Sequence, residues 1–272
     1  MRPRILFLGT GGDAQVVGAQ SRASGALIIQ MPDNQFVIDP GPGTLNMAKA
    51  AGINLRETTA VFVSHNHLNH ANDINAVISA MTHGGLDPRG VLVAAKSVIG
   101  NGQAHETFLC RHYLRFIERA IQIEAEQRLG INTAEILVTR AHHTDESAVG
   151  FKFFTDKFTL GYTGDTNYTK ELAQEYKETD IMVLCVKHAA GENQEGNLNV
   201  DDATKLIGEI DPKLAIITHF GVKLLDSDPL DAARTIQKST KVQTIVATDG
   251  LAINPVSYSA GLRTKTLNLY RD

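Results

Sequence analysis

The chain has 272 residues, of which 43% are hydrophobic and 21% are charged. This composition is typical of a globular protein and excludes a disordered, collagen-like or coiled-coil chain. Lysine and arginine number 26 against 30 aspartates and glutamates, so the formal charge is −4, whereas a dedicated nucleic-acid binder usually carries a basic excess.

Short apolar or β-branched runs bounded by turn residues recur along the chain and predict β-strands. The predicted strands are Ile5–Leu8, Ala26–Gln30, Phe36–Ile38, Ala60–Val63, Val91–Ala95, Ile136–Thr139, Val149–Phe154, Phe158–Tyr162, Ile181–Val186, Leu214–Thr218 and Thr244–Ala247. Two of them, Val149–Phe154 and Phe158–Tyr162, are close enough in sequence to predict an antiparallel hairpin. A hairpin among helix-connected strands favours mixed sheets covered by helices over one purely parallel sheet.

Segments with helical periodicity lie between several of these strands. The predicted helices are Thr44–Ala51, Ala71–Met81, Glu106–Arg128, Thr169–Tyr176, Val200–Glu209 and Pro229–Lys238. No linker or repeat marks an internal boundary, so we expect one domain over residues 1–272. The long helix predicted at Glu106–Arg128 is the candidate insertion or lid of that domain, at about residues 101–130.

The sequence indicates neither export nor membrane insertion. Four apolar residues after Arg4 are too few for the hydrophobic region of a signal peptide, and no run approaches the roughly 20 apolar residues of a membrane span. The two cysteines, Cys110 and Cys185, are predicted to be buried apolar residues and not a disulfide framework. We therefore expect a protein of the reducing cytoplasm that does not bind membranes.

Three of the ten histidines lie in one short segment, Ser64-His65-Asn66-His67-Leu68-Asn69-His70, directly after the predicted strand Ala60–Val63. Alternate residues at a strand end point to the same side, so His65 and His67 can converge on one ion, while a turn into the next helix brings His70 to a neighbouring point. Neutral imidazole is the commonest protein ligand for zinc-like metals. The segment therefore predicts a metal site.

Further candidate ligands follow other predicted strands. They are His142 and His143 after Ile136–Thr139, Asp165 after Phe158–Tyr162, and His219 after Leu214–Thr218. Strand ends in a layered α/β protein gather at one edge of the sheets, where loops form sites on a rigid scaffold. We therefore expect these side chains to converge with the histidine segment.

Glycine-rich turns complete the set of motifs. In chain order the motifs are Leu8-Gly9-Thr10-Gly11-Gly12, Ile38-Asp39-Pro40-Gly41-Pro42-Gly43, the histidine segment, Gly164-Asp165-Thr166, Thr218-His219-Phe220 and Thr248-Asp249-Gly250. Over nearly its whole length the chain thus resembles the metallo-β-lactamase superfamily, and within it the ribonuclease Z-like and related hydrolases. The resemblance implies an α/β fold in which two mixed β-sheets flanked by helices form an αββα sandwich, with metal ions at the sheet edge.

The resemblance also implies a dinuclear metal site. The implied ligands are His65, His67 and either His142 or His143 for the first ion, His70 and His219 for the second, and Asp165 between them. His143 is preferred over His142 because its spacing to Val149 resembles the spacing in the family. The cofactors would be two divalent ions, zinc first and manganese or iron as alternatives, which activate a shared water molecule.

Two positions depart from the family pattern. Asn69 stands where the motif His-x-His-x-Asp-His has aspartate, and an amide brings no negative charge and takes no proton from water. We therefore expect weaker binding of the second metal, slower hydrolysis, or both, unless Asn69 is a tolerated variant beside Asp165. Asn197 stands where relatives carry a histidine associated with phosphate contact and leaving-group protonation, and His188 is the candidate substitute.

The segment Glu106–Arg128 carries Arg111, Arg115 and Arg119 at a helical spacing. Such a row can guide an anionic substrate, but glutamates interleave with it. A solvated face with mixed charges is therefore the favoured interpretation.

These observations predict a metal-dependent hydrolase that acts on an ester, lactone or phosphodiester bond of a small-molecule substrate, with Asn69, Asp165 and His188 as its catalytic residues. One alternative is a ribonuclease Z-like nuclease acting on RNA, which the acidic charge and Asn197 disfavour. Another is a non-catalytic, metal-binding member of the family. We also expect a homodimer, although no sequence feature specifies the oligomeric state.

Overall fold

Two β-sheets form the centre of the computed structural model, which describes residues 3–100, 106–192 and 195–259. The strands are β1 (Arg4–Gly9), β2 (Ala26–Met31), β3 (Asn34–Ile38), β4 (Ala60–Val63), β5 (Val91–Ala95), β6 (Arg119–Ile123), β7 (Arg128–Ile131), β8 (Ala134–Arg140), β9 (Val149–Phe154), β10 (Thr159–Tyr162), β11 (Ile181–His188), β12 (Leu198–Asn199), β13 (Leu214–Thr218), β14 (Thr244–Val246) and β15 (Ala252–Ile253). The α-helices are α1 (Ala14–Gly18), α2 (Thr44–Ala50), α3 (Leu68–Ala71), α4 (Ile74–Met81), α5 (Lys96–Ile99), α6 (Lys170–Glu175), α7 (Val200–Ile210), α8 (Val222–Asp226) and α9 (Pro229–Thr240). Short 3-10 helices occur at Leu55–Glu57, Arg111–Arg115 and Pro255–Tyr258.

Both sheets are mixed, as the hairpin predicted. The first has the order β15-β1-β2-β3-β4-β5-β6, in which β1 to β3 are antiparallel and β3 to β6 are parallel. The second has the order β14-β13-β11-β10-β9-β8-β7, with β12 beside β11. Its strands β8, β10, β11 and β13 run in the same direction, so their carboxyl ends lie at one edge.

The sheets pack face to face through aromatic side chains. Phe36 and Phe62 of the first sheet meet Phe151 and Phe153 of the second, with ring centroids 5.3 Å apart for Phe62 with Phe151 and for Phe62 with Phe153. Such edge-on aromatic pairs add to the free energy gained by burying apolar surface. The main core therefore lies between the sheets.

Helices cover the outer faces. Leu172 of α6, Leu206 of α7 and Ile236 of α9 share a second apolar cluster with Leu184 and Ile217, which lie on β11 and β13. On the other side, α2 contacts β1, and α4 packs against α2. The predicted αββα sandwich is confirmed.

Every predicted strand is present, with bounds shifted by up to two residues. The helix predicted over Glu106–Arg128 is wrong. Its residues form the 3-10 turn Arg111–Arg115 and the strand β6, which pairs in parallel with β5 at the edge of the first sheet. An edge strand buries only part of its surface and carries charges on the rest, so its composition resembles that of an amphipathic helix.

This correction also removes the proposed arginine row. Arg111 and Arg115 lie in the 3-10 turn while Arg119 begins β6, so the three do not share one helix face. Residues 101–105 of the expected insertion lie outside the described residues, and the single-domain organisation stays a prediction. Of the cysteines, Cys185 is buried as predicted, whereas Cys110 is exposed because it precedes the 3-10 turn at the surface.

Among the described residues, none of the helices combines the length and the apolar character that a bilayer-spanning helix requires.

Candidate metal centre

The predicted ligands converge at one edge of the sandwich. They are His65 and His67 after β4, His70 in α3, His143 after β8, Asp165 after β10 and His219 after β13. The first sheet thus supplies three of them and the second sheet the other three. The convergence follows from the shared direction of β8, β10 and β13, whose carboxyl ends meet at this edge.

His65, His67 and His143 form the first group. One ring nitrogen from each lies within 4.8 Å of the others, and Nδ1 of His67 is 3.1 Å from Nε2 of His143. Nε2 of His65 is buried and has no hydrogen-bond partner among the described residues. A buried ring nitrogen without a partner is costly unless a ligand occupies it, so this group fits a metal ion.

Asp165 connects this group to the second one. Its Oδ1 lies 3.0 Å from Nε2 of His219 and 3.5 Å from Nε2 of His70. Its Oδ2 lies 3.9 Å from Nε2 of His143. One carboxylate oxygen therefore faces each group of histidines, which is the arrangement that a carboxylate shared by two ions needs.

Asp39 supports the histidines from behind. Its Oδ2 accepts hydrogen bonds from Nδ1 of His70 at 2.9 Å and from Oγ of Ser64 at 2.7 Å. Ser64 Oγ in turn lies 2.9 Å from Nδ1 of His65. These hydrogen bonds place a proton on Nδ1 of both rings, so Nε2 is the atom of each ring that is left to bind a metal ion. Sequence reasoning quoted Asp39 within a motif but assigned it no role, since the link to His65 and His70 is visible only in three dimensions.

Burial and neighbouring charges shift the pKa values of the candidate ligands. Burial lowers the pKa of His65 well below its ordinary value and also lowers that of His67, which keeps both rings neutral and able to bind metal. Burial alone would lower the pKa of His70, but the carboxylates of Asp165 and Asp39 raise it to about 10. Despite its burial, Asp165 has a pKa well below its ordinary value because His219 and His70 lie beside it. In the absence of metal, His70 therefore carries a second proton at neutral pH, and a metal ion bound by this ring would replace that proton.

Gly12 explains why the first turn is rich in glycine. A Cβ added to Gly12 would lie 2.0 Å from the backbone oxygen of His219, so only glycine permits this close approach. The Gly12 amide donates to the carbonyl of Phe220 at 2.9 Å. His219 itself has a positive φ of 69°, which this packing helps to hold. The turn therefore positions a predicted ligand.

The two residues that differ from the family pattern, Asn69 and Asn197, lie close to the candidate ligands. Asn69 Nδ2 is 3.4 Å from Nε2 of His219, so this side chain reaches the second group. Asn197 is buried, and the carbonyl of the preceding Gly196 lies 2.6 Å from Nδ1 of His143. His142, in contrast, is exposed, and its hydrogen bonds within the described part of the chain come from its backbone. The structure thus brings His143 into the cluster and leaves His142 outside it.

His188 lies at the end of β11 and lines a cavity of about 660 Å³. Its ring is buried, its Nε2 has no hydrogen-bond partner among the described residues, and its Nδ1 is 3.8 Å from Oε2 of Glu192. Burial lowers its pKa, assisted by the neighbouring cation of Lys187. Lys187 and Lys223 also line the cavity, and so does Asp13, which follows Gly12. The cavity therefore lies next to residues that adjoin His219 in the chain, and its lining sets two lysines against the carboxylates of Asp13 and Glu192.

Comparison with known proteins assigns the family. A family model described as a β-lactamase superfamily domain matches residues 34–220, which contain all six candidate ligands. The chain belongs to the metallo-β-lactamase superfamily. Proteins of this superfamily are metal-dependent hydrolases. The family resemblance drawn from the motifs is thereby confirmed.

Relatives in the superfamily align over almost the full chain. An uncharacterized protein of Methanocaldococcus jannaschii is 28% identical over 255 residues, which cover 93% of this chain and 95% of that protein. Ribonuclease Z of Archaeoglobus fulgidus is 22% identical over 308 aligned positions, which cover 92% and 97% of the two chains. The structure of the metallo-β-lactamase fold protein YhfI from Bacillus subtilis matches with a TM-score of 0.77 at 16% identity, covering 93% of this chain and 99% of that one. This structural match shows a shared fold.

Proposed function

We propose that this protein is a dinuclear metallo-hydrolase that cleaves a phosphodiester bond of a small molecule. The observation that carries the proposal is the Asp165 carboxylate, which directs one oxygen toward each group of histidines. The proposed ligands are His65, His67 and His143 for one ion, His70 and His219 for the other, and Asp165 for both. Zinc is the first candidate metal, and manganese and iron are the alternatives.

When bound, two divalent ions would supply a water molecule with a pKa lowered toward about 7 and would polarise the scissile phosphoryl oxygen. The protein's own residues prepare for this chemistry. Asp39 fixes the tautomers of His65 and His70, and Asp165 supplies a negative charge that offsets repulsion between two cations.

Two lysines in the cavity that His188 lines favour a phosphodiester over neutral esters and lactones, and Asp13 and Glu192 in the same lining offset part of their charge. The ammonium groups of Lys187 and Lys223 line the cavity and would bind non-bridging phosphate oxygens. Lys223 also pairs with Glu192, so part of its charge is already neutralised. We propose that His188, on the same cavity wall, transfers a proton to the leaving oxygen.

A substrate panel tests the proposal. Protein reconstituted with zinc or manganese should hydrolyse bis(p-nitrophenyl) phosphate faster than p-nitrophenyl acetate or an acyl-homoserine lactone. Asp165→Asn and His143→Ala should abolish this turnover, whereas His142→Ala, the matched control on the exposed neighbour, should retain it. Hydrolysis of the acetate or the lactone alone would overturn the phosphodiester assignment.

The proton-transfer role of His188 predicts an effect that depends on the leaving group. p-Nitrophenolate leaves without a proton, whereas the alkoxide released from a dinucleotide needs one. His188→Ala should therefore reduce kcat for a dinucleotide by about 100-fold or more, and reduce kcat for bis(p-nitrophenyl) phosphate far less. Equal losses on both substrates would contradict proton transfer by His188.

A ribonuclease Z-like activity is the second candidate function. It is favoured by the alignment with the ribonuclease Z of Archaeoglobus fulgidus over nearly the whole of both chains. The formal charge of −4 and the asparagine at position 197 count against it. Site-specific cleavage of a precursor transfer RNA by the metal-loaded protein would establish this activity in place of the small-molecule assignment.

A further inference from the structure

Cys185 lies beside the second group of ligands. It is on β11, is only 2% exposed, and points into the core between the sheets. Its Sγ, a carboxylate oxygen of Asp165 and a ring nitrogen of His219 all lie within 4.8 Å of one another. All three side chains are buried. This arrangement is a third potential set of metal ligands, and the mechanism above does not use its sulfur atom.

The position of the sulfur is set by the strands that carry the other two ligands. Cys185 pairs with Thr218, the residue before His219, and its amide donates to Oγ1 of Thr163, two residues before Asp165. The only hydrogen-bond partner of Sγ among the described residues is the hydroxyl of Tyr162, at 3.7 Å. Cys185 is therefore held next to the site by the sheet itself, with a weakly bonded sulfur.

The only negative charge of the second group is the one that it shares with the first, on Asp165. Asp165 is the only carboxylate among the six proposed ligands, and Asn69 is neutral where the family motif has aspartate. Asp39 is the other buried carboxylate nearby, but its oxygens are used by Ser64, His70 and Tyr162. Two divalent cations would thus face one shared carboxylate, and a further anionic ligand would stabilise them.

We propose that Cys185 binds the second metal ion as a thiolate, together with Asp165 and His219. Binding would replace the S–H bond by a bond from sulfur to the ion and release the proton to solvent. The thiolate would supply the charge that Asn69 does not. Since sulfur is a soft ligand, it would favour zinc, cobalt or cadmium over manganese at this position. The proposal rests on the proposed function only in requiring that the site binds metal.

Cobalt(II) provides the test, because a thiolate bound to cobalt gives a near-ultraviolet charge-transfer band that histidine and carboxylate ligands do not. The chain has two cysteines, and Cys110 is exposed. Cys110→Ser leaves Cys185 as the sole thiol and should retain the full band after cobalt reconstitution. Cys185→Ser should lose the band, and its manganese-to-zinc affinity ratio should rise.

Metal content measured on the same samples separates the two proposals. Two bound cobalt ions in Cys110→Ser without the band would overturn the role of Cys185 and leave the dinuclear site intact. Absence of bound cobalt would overturn both. The Cys110→Ser spectrum decides the question even where Cys185→Ser fails to fold, which circular dichroism of the metal-free variant would reveal.

Discussion

At the scale of single residues, Asp39 orients two of the proposed ligands although it is not a proposed ligand itself. It accepts hydrogen bonds from Ser64 and His70, and through Ser64 it also orients His65. One side chain therefore controls a ligand of each proposed ion. Residues that orient metal-bound histidines in this way fix the ring and its tautomer, and their replacement lowers metal affinity.

This arrangement predicts the effect of Asp39→Asn. The neutral amide of asparagine lacks the negative charge that strengthens the hydrogen bonds from Ser64 and His70, so it orients His65 and His70 less firmly. The affinity of the site for zinc should therefore fall by about 10- to 100-fold. Competition with a chromophoric chelator measures the change. Asp156→Asn, at a carboxylate whose side chain is 76% exposed, is the matched control and should leave affinity unchanged. An unchanged affinity in Asp39→Asn would contradict the role of Asp39.

Asn69 is the second residue with a testable consequence. Its amide already lies 3.4 Å from His219, so Asn69→Asp should add a negative charge beside the second ion without large displacement. We expect higher metal occupancy and faster turnover in this variant, measured by plasma mass spectrometry and by the phosphodiester assay. Unchanged occupancy and turnover would show that position 69 does not limit the site.

At the scale of elements, α7 illustrates how local sequence specifies structure. Its N-cap Asn199 accepts from the amide of Asp202 at 2.8 Å, and its Nδ2 donates to the carbonyl of Glu192 at 2.5 Å. The cap joins the helix to the loop that carries Glu192, and thereby to the wall of the His188 cavity.

Asn199→Ala should therefore lower the free energy of unfolding by about 1 kcal/mol, since it leaves helix amides without a partner. Urea denaturation of the metal-free protein measures this change. Asn46→Ala, at an exposed position inside α2, is the control and should not destabilise, because alanine is the better helix former. Equal stability of Asn199→Ala and the unsubstituted protein would show that the loop compensates for the cap.

The same scale shows what the sequence can predict. Strands such as Ala60–Val63 and Leu214–Thr218 are continuous apolar runs because both faces are buried, so composition alone identifies them. The edge strand β6 is exposed at Arg119 and Ala120, and only its pairing with β5 distinguishes it from a helix. Long-range pairing of this kind leaves no local signal.

Some residues of the candidate site were identifiable from the sequence, and others were not. The histidine segment and the turn at Asp165 were identifiable from motifs and from their positions at strand ends. Asp39 and Cys185 were not, because their contacts join residues far apart in sequence, as between Tyr162 and Asp39. The preference for His143 over His142 rested on spacing, and the structure places only His143 in the cluster.

At the scale of the whole molecule, the free energy of unfolding of the metal-free protein should depend on pH through His70, and bound metal should remove this dependence. In the metal-free protein the pKa of His70 is raised to about 10, whereas in the unfolded chain it is about 6.5. The folded state then holds a proton that the unfolded state releases, so this stabilisation is complete below about pH 6.5 and is lost as pH rises through about 10.

Thermal unfolding between pH 7 and 10 tests this linkage. The Tm of metal-free protein should fall more steeply with pH than the Tm of zinc-loaded protein, in which His70 would be a neutral ligand. Parallel curves for the two forms would contradict the proposed exchange of a proton for a metal ion. The expected homodimer stays a prediction, which light scattering can check on the same samples.

The six proposed ligands are divided equally between the two sheets, so a bound metal ion would connect the two parts of the chain. His65, His67 and His70 follow strands of the first sheet, while His143, Asp165 and His219 follow strands of the second. The chain passes to the second sheet near Glu124–Gln127 and returns to the first between β14 and β15. A chain cut at Glu124–Gln127 would give two fragments, each with half of the ligands. Since each proposed ion takes ligands from both fragments, added metal should promote their reassembly, and the ion would act as a cross-link between halves that the backbone no longer connects.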